Sequence, residues 1–421
     1  MNKKVYAIPE SGISNPIIFN PTICIGCNKC IEICQVDIFI PNPDEKKPPI
    51  VLYPGECWYC GCCVVECPKP GAIKLNPLIM NRVYWKRKEN SKFHDMVISA
   101  QNAMIHVMNL NKEDTVLVIS DEFTRSVGEA FYNAAIEYGC TAQLYLLPEK
   151  DRPLLEIPTE MNQLIEGKTI VINSFQGFGD ETPFRLRWVK KILATESIRV
   201  GHGAGITESM MIEGPLNIDY RKMVDVADKL IKRFEDAKKV HVSAPGGTDI
   251  VLYIEDRLFS TDVKITKVPY FANLPCGEIW CGPIESKGDG IIVCDGSIGD
   301  IGKVKIPLKI VVKKGKILTI ESDDQKLVEE VNRLISLDAE ARIIGELGIG
   351  INPGAKLSGN LLEDEKALQT AHIAFGNNEE MVGGQNKSRT HRDFLFYKPT
   401  LTITFKDGSI KTLIRNGDFD L

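Results

Sequence analysis

The chain has 421 residues, 43% hydrophobic and 25% charged, which is enough apolar material for two or three domains with sizeable cores. A formal net charge of −5 argues against a nucleic-acid partner held through its phosphates. No apolar run approaches the roughly 18 residues of a membrane span. The polar stretch Met1–Glu10 has no apolar segment behind it, so no secretory leader is expected and a cytoplasmic protein is the default. In chain order, cysteine clusters dominate the first 80 residues, interrupted by a polar, proline-rich loop at Pro41–Pro49 that reads as a surface insertion. The basic stretch Arg82–Lys92 reads as a linker. A helix is predicted over Phe93–Leu110, where Val97, Ala100, Met104, Val107 and Met108 share one face. Thr115–Ser120, Ala142–Leu147 and Thr169–Asn173 read as strands, and Val127–Tyr138 and Tyr220–Asp236 as helices, which is the alternation of a layered α/β unit. From Val240 the pattern turns β-rich, with Val240–Ser243, Ile250–Ile254, Gly290–Cys294, Lys309–Val312 and Leu401–Phe405 interrupted by a helix at Asp324–Ala339. The fold class expected is therefore α+β and α/β, with a cysteine-rich domain at 1–80, an α/β subdomain at 92–239 and a β-rich domain at 240–421.

Thirteen cysteines is a high count, and nine of them lie between Cys24 and Cys67. Nothing points to an oxidising compartment, so clustered thiols read as metal ligands rather than as a disulfide framework. Cys24-Ile-Gly-Cys27-Asn-Lys-Cys30-Ile-Glu-Ile-Cys34 recurs 33 residues later as Cys57-Trp-Tyr-Cys60-Gly-Cys62-Cys63-Val-Val-Glu-Cys67. Each copy reads C-x2-C-x2-C-x3-C, the spacing of bacterial ferredoxins, in which the fourth cysteine of one run ligates the other cluster. Two [4Fe–4S] clusters are expected, one on Cys24, Cys27, Cys30 and Cys67, the other on Cys57, Cys60, Cys63 and Cys34. Gly26 and Gly61 would let the backbone wrap closely, and Pro68 follows the last ligand, whereas Gln35 stands where the first copy would carry proline. Paired structural zinc sites are the competing reading, but zinc ligands come in separated pairs more often than four cysteines in eleven residues. Cys62 is left over and reads as a small core residue.

The six histidines are easily weighed. His94 and His106 fall in the helix pattern as surface or core-edge residues, His241 reads as a core histidine in a strand, and His202 sits undecided in a glycine-rich stretch. His391-Arg-Asp393 differs, because an extended chain turns residues i and i+2 to one side and would aim an imidazole and a carboxylate at one divalent ion. There is no H-E-x-x-H, and the glycines of Gly345–Gly354 do not follow a strand as a phosphate loop would.

Longer segments add to this: Gly205-Ile-Thr-Glu-Ser, Glu213-Gly-Pro-Leu-Asn-Ile-Asp-Tyr220, Ala244-Pro-Gly-Gly-Thr-Asp249, Asn273-Leu-Pro-Cys-Gly-Glu278, Gly345-Glu-Leu-Gly-Ile-Gly-Ile-Asn-Pro353, His372-Ile-Ala-Phe-Gly376 and Ser388-Arg-Thr-His-Arg-Asp393. Through these, and in this order, the chain from about Thr115 to Gly408 resembles the aminopeptidase T-type, or thermophilic, metallo-aminopeptidases. The resemblance implies one or two divalent ions (zinc, cobalt, manganese or iron) on Glu278, Glu346, His372, His391 and Asp393, with one glutamate bridging and Glu346 in the catalytic role. It also implies a homodimer that hydrolyses N-terminal peptide bonds with a metal-activated water. The family's tyrosine, about seven residues after the first histidine, falls on Glu379, and a carboxylate donates a hydrogen bond only when protonated. Cys276, Cys281 and Cys294 crowd Glu278 in sequence and read either as buried thiols or as a soft ligand or reactive thiol. Hydrolysis moves no electrons, so the ferredoxin-like segment keeps a second reading open. In it the same body is a redox enzyme or electron-transfer subunit acting on a non-peptide small molecule with a redox partner protein. A relative of this fold, the dihydroxypyridine dioxygenases, uses one iron on a similar ligand set, although exposed clusters are prone to oxidation. A carrier scaffold with a degenerate pocket is a third.

Overall fold

The computed structural model describes residues 15–76, 88–265 and 267–421. Residues 1–10 and the 82–87 part of the expected linker lie outside these, while Lys88 already opens a helix. The chain divides into two compact units, Met1–Ser91 and Lys92–Leu421.

In the first unit, strand Ile17–Phe19 pairs antiparallel with Ile73–Leu75, and Phe39–Ile40 pairs with Ile50–Val51. The proline-rich loop is the connection of this second hairpin, closed by Asn42 Nδ2 donating to the Pro48 carbonyl at 2.9 Å. Each cysteine run enters a one-turn helix, Lys29–Glu32 or Cys62–Val65, through a left-handed residue, Asn28 or Gly61. A side chain at Gly26 would place its Cβ 2.6 Å from Lys46 Cα, so only glycine fits there. The apolar core is Ile17, Ile38, Phe39, Val51, Cys63 and Ile73, with Cys30, Cys34, Cys57 and Cys67 packed against it. A core this small supplies only a few kcal/mol, and domains of this size are normally stapled by disulfides or metals.

The second unit holds three sheets. A five-stranded parallel sheet runs in the order Tyr270–Asn273, Arg199–His202, Ile170–Asn173, Thr115–Ser120, Thr141–Leu146. Alternate residues serve its two faces, as period two requires. Leu117, Ile119 and Val171 face a core with Phe184, Trp188 and Ile192 of helix Thr182–Leu193. Val116, Val118 and Ile172 face one that contains Met104, Val107 and Phe131. Strand Tyr270–Asn273 returns to this sheet from beyond residue 240, so the two segments expected on either side of that point share a sheet. An eight-stranded antiparallel sheet contains Ala237–Ser243, Asp249–Tyr253, Gly288–Cys294, Leu308–Lys313 and Thr400–Phe405. The third, seven-stranded and antiparallel, has Glu278–Cys281, Ile344–Gly350, Thr370–Gly376 and His391–Tyr397 as successive neighbours. Val240, Ile250 and Ile310 of one sheet and Ile279, Leu347, Ile373 and Phe394 of the other belong to one continuous core. Among the described residues no helix is long and apolar enough to cross a membrane.

Two expectations about single residues change. His241 is on the solvent side of its strand, because Val240 and Val242 take the core face, and its Nε2 lies 2.6 Å from Asp249 Oδ1. Cys62 is half-exposed rather than a core residue, since the one-turn helix directs Cys63 inward instead.

Candidate metal centre

All five residues singled out from the sequence meet on the seven-stranded sheet. Glu278 starts one strand, Glu346 lies on the next, His372 on the third, and His391 and Asp393 on the fourth. Register does the assembling: Gly348 pairs opposite His372, and Ala374 opposite Asp393. Gly348 is there for space, since a Cβ at that position would lie 1.9 Å from His372 Nε2. The imidazole crosses over the glycine to reach the carboxylates on the neighbouring strands.

The donor atoms form two groups that share Glu346, one with Glu278 and His372, the other with His391 and Asp393. Within each group the ligand atoms lie inside 4.8 Å of one another. His372 Nε2 is 3.3 Å from Glu346 Oε1 and 3.5 Å from Glu278 Oε2, and His391 Nε2 is 3.1 Å from Glu346 Oε2 and 3.3 Å from Asp393 Oδ1. His391 Nδ1 sits 2.8 Å from the Asn377 carbonyl, which accepts its proton, so Nε2 is the nitrogen that meets the carboxylates and would offer its lone pair to a metal. Glu278, Glu346, His372 and Asp393 are buried, whereas the His391 side chain keeps 32% of its surface open.

Other groups at the site carry no sequence signal of their own. Lys366 is fully buried and donates to Glu278 Oε1 at 2.8 Å, and it also pairs with Glu365. Asp262 Oδ1 accepts the backbone N–H groups of Gly277 and Glu278 at 2.9 and 3.1 Å, holding the start of the Glu278 strand. Burial pushes Glu278 up to about 7 against the pull of Lys366 and His372, and it pushes Glu365 up to about 8. Burial would depress His372, but the Glu346 hydrogen bond and the Glu278 and Asp393 charges raise it to about 9. Asp393 resists burial through His391 beside it and stays well below the usual carboxylate range.

The arrangement fits divalent cations. Glu278, Glu365 and Asp262 share one ammonium, that of Lys366, and Glu278 Oε2 is buried without a hydrogen-bond partner. A buried carboxylate oxygen left unpaired among further carboxylates and imidazoles is normally matched by a metal. Cys276, Cys281 and Cys294 lie outside both ligand groups. All three are buried, and burial drives their thiols well up, which is the behaviour of inert core cysteines. Glu379, at the position of the family tyrosine, is in an exposed turn with its carboxylate 3.6 Å from Lys387 Nζ.

Residues 218–419 match the thermophilic metalloprotease family, M29. That segment contains all five ligand candidates together with Asp262, Glu365 and Lys366. Two solved structures share the fold. 2,5-Dihydroxypyridine dioxygenase from Pseudomonas putida superposes with a TM-score of 0.60 at 15% identity, covering 77% of this chain and 96% of that one. AmpT from Thermus thermophilus superposes with a TM-score of 0.59 at 17% identity, covering 78% of this chain and 99% of that one.

The M29 segment supplies only part of the adjoining cleft, which has a volume of about 640 Å³. His391, Asp393 and Glu365 border it from the metal side. Gly177, Ala204, Gly205 and Asn273 border it from the carboxyl ends of the parallel strands, where α/β sheets usually bind ligands. His202, which the sequence leaves undecided, ends one of these strands between the rings of Phe175 and Phe271, 3.2 Å from Asn173 Nδ2, and so is a packing residue.

In the first unit the eight cysteines of the two runs border two cavities. One is lined by Cys24, Cys27, Cys30 and Cys67, the other by Cys34, Cys57, Cys60 and Cys63, with Cys62 at its edge.

Proposed function

We propose that residues 92–421 are a metal-dependent aminopeptidase-like hydrolase, with Glu278, Glu346, His372, His391 and Asp393 holding two divalent ions. The observation that carries this reading is that Glu346 belongs to both ligand groups, one oxygen toward His372 and the other toward His391. Bound there, paired ions would polarise a peptide carbonyl and lower the pKa of a water. The chain's own part is to hold and aim the donors. Asn377 fixes the His391 tautomer, Lys366 occupies one oxygen of Glu278 and turns the other toward the site, and Gly348 makes room for His372. His391, the most open of the five, faces the cleft through which a peptide would enter. Glu379 supplies no hydrogen-bond donor to this site. The M29 match favours hydrolysis over the redox reading.

We further propose that the two cysteine cavities hold [4Fe–4S] clusters. Three cysteines of one run and the last of the other border each cavity, which is the crossed ligation of two-cluster ferredoxins. Among the described residues no three cysteine sulfurs lie within 4.8 Å of one another. A tetrahedral zinc would need thiolates roughly 3.8 Å apart, given ~2.3 Å Zn–S bonds.

Metal analysis of protein purified without oxygen tests both parts. About eight irons, as two cubanes require, and up to two further divalent ions per chain are expected. Glu346→Gln should lose both site metals and keep the cluster iron, because the two ligand groups share that residue. Full retention of the site metals in E346Q would contradict the shared-ligand site.

A further inference from the structure

Among the described residues that line the cleft beside the metal centre, Arg185 is the sole lysine or arginine; the other charged groups are Asp300, Glu365, His391 and Asp393. Arg185 belongs to helix Thr182–Leu193, outside the M29 segment and on a different element from the ligands' own sheet. Its guanidinium is held in place: Nη1 donates to the Phe178 carbonyl and Nη2 to Thr182 Oγ1 at 2.8 Å. Arginine has five N–H donors in a planar fork, so two such bonds leave others to face the cleft. The two carboxylates nearest in charge to Arg185, Glu181 and Asp300, are already paired with Arg152 and Arg392. A fixed cation of this kind suits one end of a ligand whose other end carries the reacting bond.

We propose that Arg185 binds a carboxylate of the substrate, so that the cleft selects short peptides with a free C-terminal carboxylate. The proposal rests on the hydrolase reading above and names its substrate class. A cleft of about 640 Å³ is the size of a small-ligand site and has room for only a few amino acid residues. In a short peptide whose N-terminal bond lies at His391 and Asp393, the C-terminus is the charged group left for Arg185, which lines the same cleft. A planar guanidinium recognises it through charge-assisted, bidentate hydrogen bonds. Small residues, Gly177, Ala204, Gly205, Gly302 and Gly359, make up part of the lining and leave room for the chain. Arg185 on this account is a specificity-determining residue and touches no reacting atom.

The test uses the full-length, cobalt-loaded protein and two non-hydrolysable probes, leucyl-leucine with its peptide bond reduced to –CH2–NH–, as the free acid and as the C-terminal amide. Binding is read from the visible absorption of the cobalt site and from calorimetry. The acid should bind the wild type about tenfold or more tighter than the amide, the factor expected of one charged hydrogen-bonded contact. Arg185→Gln should bring the acid down to the affinity of the amide and leave the amide unchanged, and Arg185→Lys should fall between. Equal binding of acid and amide by the wild type, or an equal loss of both in R185Q, overturns the assignment while the peptidase reading stands. Binding of neither probe by protein shown to carry its site metal overturns both.

Discussion

The centre depends on one residue with no side chain. Gly348 opposes His372 in register, and any Cβ there would overlap the imidazole. Gly348→Ala should therefore keep the fold and lose about a hundredfold in affinity for the His372 site, the upper end for disturbed ligand support. Circular dichroism with a cobalt titration checks this, and unchanged affinity would show that His372 does not act as drawn. Lys366 makes a different prediction. Its ammonium is the buried counter-charge of Glu278 and Glu365. Lys366→Met should cost the metal-free protein about 3–5 kcal/mol, as for a buried pair with one partner removed. Metal should recover much of that loss, because a divalent ion neutralises the same carboxylates. Denaturant unfolding with and without metal measures both values, and an equal loss in the two states would make Lys366 a packing residue only.

At the scale of elements, the carboxyl end of the parallel sheet is held by a buried ionic triad. Arg152 pairs with Asp121, which follows strand Thr115–Ser120, and with Glu181 ahead of helix Thr182–Leu193, at 2.6 Å for the latter. All three side chains are at most 5% exposed. Arg152→Ala leaves two carboxylates buried together and should destabilise the larger unit by about 3–5 kcal/mol; a denaturant midpoint shift equivalent to less than about 1 kcal/mol would contradict the triad's role. The pH dependence has a defined sign. Burial would raise Asp121, but the Gln176 N–H, Arg152 and Thr124 outweigh it and hold its carboxyl below the usual range. The stabilisation is thus complete above the unfolded value of about 4 and is lost as pH falls through the lower, folded one. R152A should flatten that acid limb. How much of these elements is legible in the sequence follows from the signals they leave. Helix Lys88–Met108 and strand Thr115–Ser120 are long and periodic and fall within a few residues of expectation. His391 and Asp393 are legible as a pair because strand alternation alone puts them on one side. Helix Thr182–Leu193 is missed, because three core residues, Phe184, Trp188 and Ile192, are spread among arginines and lysines. Glu278 and His372 emerge only from the family resemblance, since what joins them is sheet register across about ninety residues. Lys366, next to Glu365 in an acidic stretch, looks like surface charge until the fold buries it.

For the whole molecule, two compact units carry two kinds of candidate site. The larger unit has a candidate ligand set beside a cleft. The smaller one has, among its described residues, a slight core and eight cysteines around two cavities. Part of the cleft lining lies outside the M29 segment, so a metal segment expressed without residues 92–217 would lack Arg185, Gly177 and Gly205. The central claim is that the five-ligand centre hydrolyses N-terminal peptide bonds. The most direct measurement is release of the first amino acid from an unblocked tripeptide by anaerobic, full-length protein whose site metal has been quantified, beside an N-acetylated control. The account predicts metal-dependent release from the free peptide, none from the acetylated one, and loss of release in E346Q. No release by protein that demonstrably carries its divalent ions, across zinc, cobalt, manganese and iron, would contradict it.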